Sequence, residues 1–401
     1  MSLLINKYLI FDKLWKKILF AVISIAILGF SVFSILYVSI ADIQFYKIPI
    51  IALSSATIII WFFIYLALLK DAKKAIIVIL SVLLVICIAF LNTITFMLIA
   101  GKSSMLKNPN VHVVPPDIDA VIDANGIISY GDKQYIYNED ITTILFMGVD
   151  KKDIDNTSIN GRNGQADAVY AVVIDTKTGK TTAICISRDT WTDIKIYSKE
   201  GNYIRTEGGQ LCLSYAYGDG KELSCESCVW SASNILCGIP INTYMALDYS
   251  AIAVLNDAVG GVEVPAYTRD WSKKTGKNTV LYGNDAYEYV QYRNIKITES
   301  NAYRISRQLD YLKSFSKKAI DMTKKDISTP INLYNKINNY SVNNLSVDKV
   351  AFLASVFLGG SMEIDFRNIE GTIESDGKHA YFTPDSEKLF ELVLEVFYKE
   401  V

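Results

Sequence analysis

The chain has 401 residues, with 40 Lys and Arg against 42 Asp and Glu, and it contains only two histidines. This length accommodates a membrane anchor and one large domain. His112 and His379 do not supply a Ser–His–Asp triad, and the sequence contains no GxSxG, no Walker phosphate loop, no GxGxxG and no standard zinc spacing. Serine-hydrolase chemistry and the common nucleotide-binding loops are therefore excluded.

Three charge-free apolar runs open the chain, over residues 18–41, 48–69 and 75–100. Each is longer than the roughly 20 residues that a helix needs to cross a bilayer. The first run is too long for a signal peptide, and no small-x-small cleavage site follows it. The sequence therefore predicts a multi-pass membrane anchor of three transmembrane helices over residues 1–100.

Lysines flank these runs unevenly. They occur before the first run and between the second and third, at Lys7, Lys13, Lys16, Lys17, Lys70, Lys73 and Lys74. Since positive residues stay on the cytoplasmic side, this pattern predicts a cytoplasmic N-terminus and an extracellular segment 101–401. That segment holds 32 Lys and Arg against 39 Asp and Glu, and this acidic balance argues against a nucleic-acid partner.

The extracellular segment is predicted to begin with a linker that carries a small extended element, at 101–140, and to continue as one domain over 141–401. Continuous apolar runs in this domain indicate strands that are buried on both faces of a sheet; they cover 142–149, 167–175 and 181–187. Helical patterns follow, the longest over 300–325, where apolar residues recur along one stripe. The alternation predicts an α/β fold, a three-layer α/β/α domain with a mostly buried central sheet.

Four of the six cysteines cluster in the predicted extracellular domain, at Cys212, Cys225, Cys228 and Cys237. Structural disulfides suit the oxidising side of a membrane, and two bridges are possible among these four residues. Free thiols are the second alternative. The spacing Cys225-x-x-Cys228 also allows a redox motif or half a zinc site, although no histidine lies nearby.

Charged residues stand at the ends of the predicted strands. Asp150 directly follows the first strand, Asp167 opens the second, and Arg188 and Asp189 follow the third. If these ends converge, the two strand-end carboxylates share a divalent cation such as Mg²⁺ or Mn²⁺, which prefer oxygen ligands, and Arg188 donates to a phosphate. The alternative is that these residues only form turns and caps.

The long helix carries a second set of polar residues. Arg304, Arg307 and Gln308 are spaced i, i+3 and i+4, which places them on one face. Guanidiniums that are directed at one site suit a pyrophosphate better than a carboxylate. The alternative is a solvated basic face whose arginines pair with Asp310 and Glu299.

Taken in order, segments of the predicted domain resemble the LytR–CpsA–Psr family of cell-envelope proteins over about residues 141–325, and the resemblance is expected to continue through the tail to 401. These segments are TILFMGVD, GQADAVYAVVIDTKTGKTTAICISRDT, LSYAYGDGKE, GIPINTYMALDYSAIAVLNDAVGGVEV, YEYVQYR and YRISRQLDYL. The resemblance implies a metal-dependent phosphotransferase that attaches a glycopolymer, a teichoic acid or capsular-type polysaccharide, to peptidoglycan. It also implies that the donor is a polyprenyl-pyrophosphate carrier whose lipid tail lies in an apolar tunnel. Such an enzyme works by positioning and charge neutralisation.

The roles of the family's site residues transfer by motif match. The resemblance implies that Asp150 and Asp167 bind the cation, and that Asp167 or a neighbouring carboxylate takes the acceptor proton. It implies that the pyrophosphate is bound and its site supported by Gln165, Arg188, Gln291, Arg293, Arg304, Arg307 and Gln308. Within this set, Arg188, Arg293 and Arg304 are expected to act with Asp167 in catalysis, and Arg307 is expected to support the site.

Three positions depart from the commonest family pattern. Gln165 stands where GRSD has its arginine, Gln291 where YVRYR has its first arginine, and Asn301 where an aspartate usually precedes the helix arginine. Glutamine keeps hydrogen bonding but loses charge, and each charge-assisted hydrogen bond is worth roughly 1.5–3 kcal/mol. Arg162 lies close by in sequence and offers partial compensation.

Three functions are open on the sequence alone. The first is a membrane-anchored glycopolymer–peptidoglycan phosphotransferase. The second is a non-catalytic polyprenyl-pyrophosphate-binding regulator of envelope assembly, and the missing arginines argue for it. The third is an extracellular structural domain that binds no ligand.

Overall fold

The computed structural model describes residues 14–40, 44–69, 74–106, 114–151, 164–293, 300–360, 363–375 and 380–401. The chain forms two compact units, Met1–Ser103 with Ala351–Gly360, and Ser104–Val350 with Ser361–Val401. Several residues of the sequence-based predictions lie outside the described residues: Lys7, Lys13, Lys70, Lys73, His112, Arg162, Glu299 and His379.

Long apolar helices make up most of the first unit: α1 (Leu14–Ile40), α2 (Gln44–Leu69) and α3 (Lys74–Met105). Each contains a stretch that is long and apolar enough to cross a membrane. Between α1 and α2, Phe20 stacks on Trp61 with ring centroids 4.9 Å apart, and Trp61 Nε1 donates to Ser24 Oγ at 3.1 Å. Polar contacts of this kind stabilise helix pairs in bilayers. The three predicted apolar helices are confirmed, and their orientation stays a prediction.

The second unit alternates strands and helices. Its strands are β1 (Ala120–Ile122), β2 (Ile128–Tyr130), β3 (Lys133–Tyr137), β4 (Ile141–Val149), β5 (Ala166–Asp175), β6 (Thr181–Ile186), β7 (Trp191–Tyr197), β8 (Tyr203–Gln210), β9 (Thr243–Asp248), β10 (Val262–Tyr267), β11 (Lys274–Leu281), β12 (Ser341–Asn343), β13 (Ile364–Asn368), β14 (Gly371–Ser375), β15 (Ala380–Pro384) and β16 (Tyr398–Glu400). Its helices are α4 (Leu211–Ala216), α5 (Glu222–Ile235), α6 (Ser250–Ala258), α7 (Asn284–Gln291), α8 (Ser300–Lys325), α9 (Thr329–Ile337) and α11 (Ser386–Phe397), with a 3₁₀ turn at Asn338–Tyr340. A further helix, α10 (Val347–Gly359), falls partly in each unit.

A six-stranded mixed sheet forms the centre of this unit, in the order β12-β9-β4-β5-β6-β13. β5 runs antiparallel to both of its neighbours, whereas β9 is parallel to β4 and β13 is parallel to β6. The central strands are the ones whose continuous apolar runs predict burial on both faces, and β4 is buried along nearly all of its length. The strands predicted at 142–149, 167–175 and 181–187 are confirmed to within one residue.

Helices cover both faces of this sheet. Along β4, Leu145 and Met147 belong to a core that includes α4, α5 and α11, whereas Phe146 packs against a second cluster with α6 and α9. Since successive residues of a strand point to opposite faces, the two clusters lie on the two sides of the sheet. The predicted three-layer α/β/α arrangement is confirmed.

A smaller sheet, in the order β1-β2-β3-β16, joins the first three strands of the second unit to its last strand. β3 pairs antiparallel with β16, and the rings of Tyr137 and Tyr398 meet edge-on at 5.6 Å. The stretch predicted as a linker with a small extended element thus carries three strands, and these belong to the same compact unit as the central sheet.

The clustered cysteines are buried free thiols. The structure has free thiols, the second alternative of the sequence analysis, at Cys212, Cys225, Cys228 and Cys237. Burial raises the pKa of the Cys237 thiol to about 11 and also raises the pKa of Cys225 and Cys228. Neutral, buried thiols act as small apolar side chains, and here Cys225, Cys228 and Cys237 belong to the core that packs α4 and α5 against the sheet.

Candidate functional site

Strand ends converge at one edge of the central sheet. β4 ends where β5 begins, with Val149 opposite Ala166, and the end of β6 lies beside the same part of β5. Because both pairs are antiparallel, Asp150, Asp167 and Arg188 come to the same edge. The convergence that the sequence analysis made a condition for a shared site is therefore present.

A glycine turn leads into β5. Gly164 has φ +88°, and a Cβ atom at this position would lie 2.7 Å from Val149 Cγ1, so the turn requires glycine. The backbone N–H of Gln165 donates to Asp150 Oδ1, and the Asp150 N–H donates to the Gln165 carbonyl at 3.0 Å. These reciprocal bonds hold the Asp150 carboxylate beside the start of β5.

Two guanidiniums share the carboxylate of Asp167. Arg188 Nη1 donates to Asp167 Oδ1, and Arg304 Nη1 donates to Asp167 Oδ2 at 3.3 Å. Arg188 follows β6, whereas Arg304 belongs to the first turns of α8. The three side chains are 10–23% exposed, so the contact is screened less than a surface pair. The ion pairs therefore connect the sheet to the long helix.

The remaining donors of Arg188 are also engaged. Arg188 Nη2 lies 2.6 Å from Gln165 Oε1 and 3.3 Å from Cys212 Sγ, and its Nε lies 3.4 Å from Asp189 Oδ1. Gln165, which replaces the family's arginine, thus accepts a hydrogen bond that an arginine cannot accept. Sequence reasoning considered Cys212 only as a disulfide partner or free thiol, and nothing in its spacing indicated the contact with Arg188.

Charges in the cluster nearly cancel. The pKa of Arg304 is lowered, chiefly by burial and then by the positive charges of Arg188 and Arg293, while Asp189 and Asp150 act in the opposite direction. Arg293 therefore belongs to the same electrostatic cluster. Among the residues that the structure describes, these three guanidiniums are matched by the three carboxylates of Asp150, Asp167 and Asp189.

A narrow cleft opens beside these ion pairs, with a free volume of about 20 Å³. It is lined by Asp167, Ala168, Val169, Tyr170, Cys185, Ile186, Ser187, Arg188, Arg304, Ile305 and Gln308. Charged groups from β5, the end of β6 and α8 thus stand beside apolar side chains of the same elements.

Arg307 lies away from the cleft, although its spacing places it on the same helix face as Arg304. Its guanidinium is 1% exposed and donates to the carbonyls of Tyr289 (2.8 Å), Trp271 (3.0 Å) and Tyr292. It also lies 5.2 Å from the centre of the Trp271 ring, within cation–π range. Arg307 therefore holds the end of α7 through hydrogen bonds from its guanidinium to main-chain carbonyls.

Gln308 contacts both the cleft and α7. It lines the cleft, and its Nε2 donates to the Val290 carbonyl at 3.2 Å. Gln291, the last residue of α7, and Arg293, two residues later, are exposed. The helix end that Arg307 and Gln308 hold is thus the one that presents Arg293 to the cluster. The structure says nothing of the Asn301 side chain, which lies outside the described residues.

Asp310 does not pair with the site arginines, which corrects one alternative from the sequence analysis. Its carboxylate accepts from Tyr267 Oη and from Lys274 Nζ, each at 2.9 Å. Both partners come from the β10–β11 hairpin. Asp310 therefore attaches this hairpin to α8, and Arg304 forms its ion pair with Asp167.

The two predicted metal ligands fit a divalent cation only as part of a donor set. Asp150 and Asp167 offer the carboxylate oxygens that Mg²⁺ prefers. Among the described residues, however, no group of three or more His, Cys, Asp or Glu side chains is placed to hold a metal ion. The oxygens of Asp167 also contact two guanidiniums. Phosphate oxygens and water would have to complete the coordination.

Comparison with known proteins places the chain among cell-envelope proteins. A family model described as the LytR_cpsA_psr family matches residues 120–395. The polyisoprenyl-teichoic acid–peptidoglycan teichoic acid transferase TagU of Bacillus subtilis is 23% identical over 269 residues, which cover 66% of this chain and 80% of TagU. The protein of the same name from Enterococcus faecalis is 23% identical, over 60% of this chain and 70% of that protein. A crystal structure from Streptococcus agalactiae has a TM-score of 0.51 at 19% identity, over 64% of this chain and 86% of that one, and shares the fold.

Substituting Asp167 by Asn should expose the two arginines to added anions. Without the shared carboxylate, pyrophosphate no longer competes with an internal anion for Arg188 and Arg304. We expect Asp167→Asn to bind inorganic pyrophosphate about tenfold more tightly than the wild type in the presence of a chelator. Calorimetric titration of the full chain in detergent measures the difference. Asp365→Asn, which removes an exposed carboxylate paired with Arg367, is the matched control; equal affinities of Asp167→Asn and the wild type would contradict the shared-carboxylate arrangement.

Arg307→Met should destabilise the second unit by about 3 kcal/mol, because three carbonyls lose a buried charged donor. The measurement is thermal unfolding of the full chain in detergent. Arg367→Met removes an exposed guanidinium that pairs with Asp365 and Glu395, and should change the stability by less than about 1 kcal/mol. If both variants unfold alike, Arg307 does not hold the end of α7.

Proposed function

Because the chain belongs to the LytR_cpsA_psr family, we propose that it is a membrane-anchored transferase that attaches a glycopolymer to peptidoglycan. The donor is a teichoic acid or capsular-type polysaccharide on a polyprenyl pyrophosphate, and the acceptor is a peptidoglycan hydroxyl. The observation that carries the proposal is the convergence of Arg188 and Arg304 on Asp167 in a half-apolar cleft. The relatives named as teichoic acid transferases support the choice of substrates.

The reaction exchanges the phosphoanhydride bond of the donor for a phosphoester bond to the acceptor. The acceptor oxygen forms a bond to the phosphorus that carries the glycopolymer, the bond from that phosphorus to the bridging oxygen breaks, and polyprenyl phosphate leaves. The acceptor proton passes to Asp167 or a neighbouring carboxylate. Arg188, Arg293 and Arg304 orient the phosphates and stabilise the charge that builds up on their oxygens, which is the main contribution a protein makes to phosphoryl transfer.

The charge balance of the cluster supports a requirement for a divalent cation. A pyrophosphate diester carries about two negative charges, and the three guanidiniums are already balanced by three carboxylates. A cation such as Mg²⁺ or Mn²⁺, held by Asp150 and Asp167, would neutralise the added phosphates. It would also free Arg188 and Arg304 from the Asp167 carboxylate, so that cation and donor strengthen each other's binding.

The apolar helices support a donor that is embedded in a membrane. In the part of the chain that the structure describes, three helices are long and apolar enough to span a bilayer. A polyprenyl carrier is itself embedded in a bilayer. The apolar residues Val169, Ile186 and Ile305 line the cleft beside the arginines, although Val169 and Ile186 are buried. We place residues 101–401 on the extracellular side, where peptidoglycan lies.

A second candidate function is a non-catalytic protein that binds the lipid-linked precursor and regulates envelope assembly. Gln165 and Gln291 favour it, because each lacks the charge that the commonest family pattern has at its position. In the structure, Gln165 accepts a hydrogen bond from Arg188 instead of adding a donor to the site. Binding of the lipid-linked donor without transfer would be the property of such a protein.

Arg188→Ala tests the transferase proposal. The full chain in nanodiscs is mixed with a polyprenyl-pyrophosphate glycan, peptidoglycan and Mg²⁺, and glycan that becomes covalently attached to peptidoglycan is counted. We expect transfer by the wild type and a loss of at least about 100-fold in Arg188→Ala, since an arginine that stabilises the transition state is worth a few kcal/mol.

The matched control is Arg205→Ala, which removes an exposed arginine whose ion-pair partner is Glu207. Its rate should equal that of the wild type. No transfer by the wild type, or equal rates in all three proteins, would refute the proposed activity.

Restoring the two arginines separates the candidate functions. In the transferase reading, Gln165→Arg with Gln291→Arg adds positive charge, so half-maximal transfer should need about tenfold less Mg²⁺. The control is Gln134→Arg, which adds a charge at an exposed position of β3. If transfer occurs only in the restored variant, the native chain is a binding protein.

A further inference from the structure

An exposed tryptophan stands at the start of the β7–β8 hairpin. The Trp191 side chain is 52% exposed, although it is among the largest apolar groups that a protein has. Its indole is nevertheless held in place: a Cβ atom at Gly208, on the neighbouring strand, would lie 3.0–3.2 Å from three indole atoms. Gly208 thus leaves the space that the ring occupies. A second aromatic ring, Tyr381 of β15, lies 5.5 Å away at an angle of 60°.

Contacts along one surface join this aromatic pair to the arginine cluster. Trp191 is three residues after Arg188, so their Cα atoms are at most about 11 Å apart. Directly opposite Trp191 in the hairpin lies Gln210, whose Nε2 donates to Asp189 Oδ1 at 3.2 Å and to the Ala380 carbonyl at 2.7 Å. Asp189 in turn contacts Arg188 Nε. The aromatic pair and the arginines therefore belong to one continuous polar and aromatic surface.

We propose that Trp191 and Tyr381 form a subsite for one pyranose ring of the glycan that reaches the arginines; this rests on the proposed function. The C–H groups on one face of a pyranose are apolar and slightly positive, and the face of an indole is negative, so the two surfaces attract each other. Gln210 offers its Oε1 to a sugar hydroxyl beside the ring. The distance from Arg188 is that of the first sugars beyond the pyrophosphate, or of an acceptor sugar.

The size of the surface favours a sugar over a protein partner. One indole and one neighbouring tyrosine match a single pyranose ring, whereas a specific protein interface buries about 800 Å² on each partner. A rigid aromatic group with few rotatable bonds also loses little entropy when a ligand stacks on it. The geometry thus points to a local glycan contact that adds to the binding at the phosphates.

The experiment measures the binding of three ligands to the full chain in nanodiscs. They are a polyprenyl pyrophosphate that bears a disaccharide, the same lipid pyrophosphate without sugar, and a soluble peptidoglycan glycan fragment. We expect Trp191→Ala to weaken one sugar-bearing ligand about tenfold and to leave the sugar-free lipid unchanged, while Trp191→Phe retains most of the affinity. Tyr203→Ala is the matched control, since Tyr203 is 57% exposed and lies about 20 Å away along the same hairpin.

Selective loss of the disaccharide lipid assigns the subsite to the donor, and selective loss of the glycan fragment assigns it to the acceptor. Equal loss of the sugar-free lipid, no loss for either sugar, or a wild-type chain that binds no sugar-bearing ligand would overturn the subsite. Because no transfer is measured, these outcomes are independent of the Arg188→Ala result. A subsite without transfer would leave a glycan-binding protein, and transfer without the subsite would leave the enzyme.

Discussion

The Asp167 carboxylate, held by two guanidiniums that come from different parts of the fold, is the constraint on which the site depends. Arg188 reaches it from the end of β6, and Arg304 reaches it from α8. Partly buried charges are stable only when they are paired, so this contact fixes the sheet edge and the helix relative to each other. The glycine turn at Gly164 and the buried thiol of Cys212 then determine where Asp150 and Arg188 lie around it.

The contacts of Arg188 also explain what Gln165 does at a position where the commonest family pattern has arginine. Gln165 does not simply weaken the site, because its side-chain oxygen orients Arg188 at 2.6 Å. The cluster exchanges one positive charge for a better ordered guanidinium and becomes nearly neutral. We propose that such a self-paired cluster accepts phosphates together with a divalent cation. Two ligands that each need the other give stricter control over binding than one permanently positive site.

Sequence patterns predicted the parts of the fold that depend on burial. The apolar runs of β4, β5 and β6 gave their positions to within one residue. The convergence of Asp150, Asp167 and Arg188 was only a condition in the sequence analysis, because the pairing of the strands is not contained in the order of their charged ends. The β7–β8 hairpin was missed because it has no continuous apolar run: in β7, Asp193 and Lys195 alternate with the buried Ile194 and Ile196, which is the pattern of a strand with one buried face.

Spacing on α8 misled because a helix face is broad. Arg307 and Gln308 are successive residues and are separated by about 100° around the axis, with Arg304 between them. The neighbouring elements decide which of them turns to the cleft, and their positions are not contained in the helix sequence. Asp310 shows the same limit, since its partner Lys274 comes from a hairpin 36 residues away in sequence.

Arg307 holds α7 by main-chain carbonyls, and this has a consequence for how the protein tolerates change. A clamp on the backbone does not depend on the identity of the side chains at the residues it holds. Position 291 can therefore be arginine or glutamine without moving the end of α7 or Arg293, which follows it. In evolutionary terms, the chain can alter the charge and selectivity of this rim through single substitutions without first rebuilding its architecture.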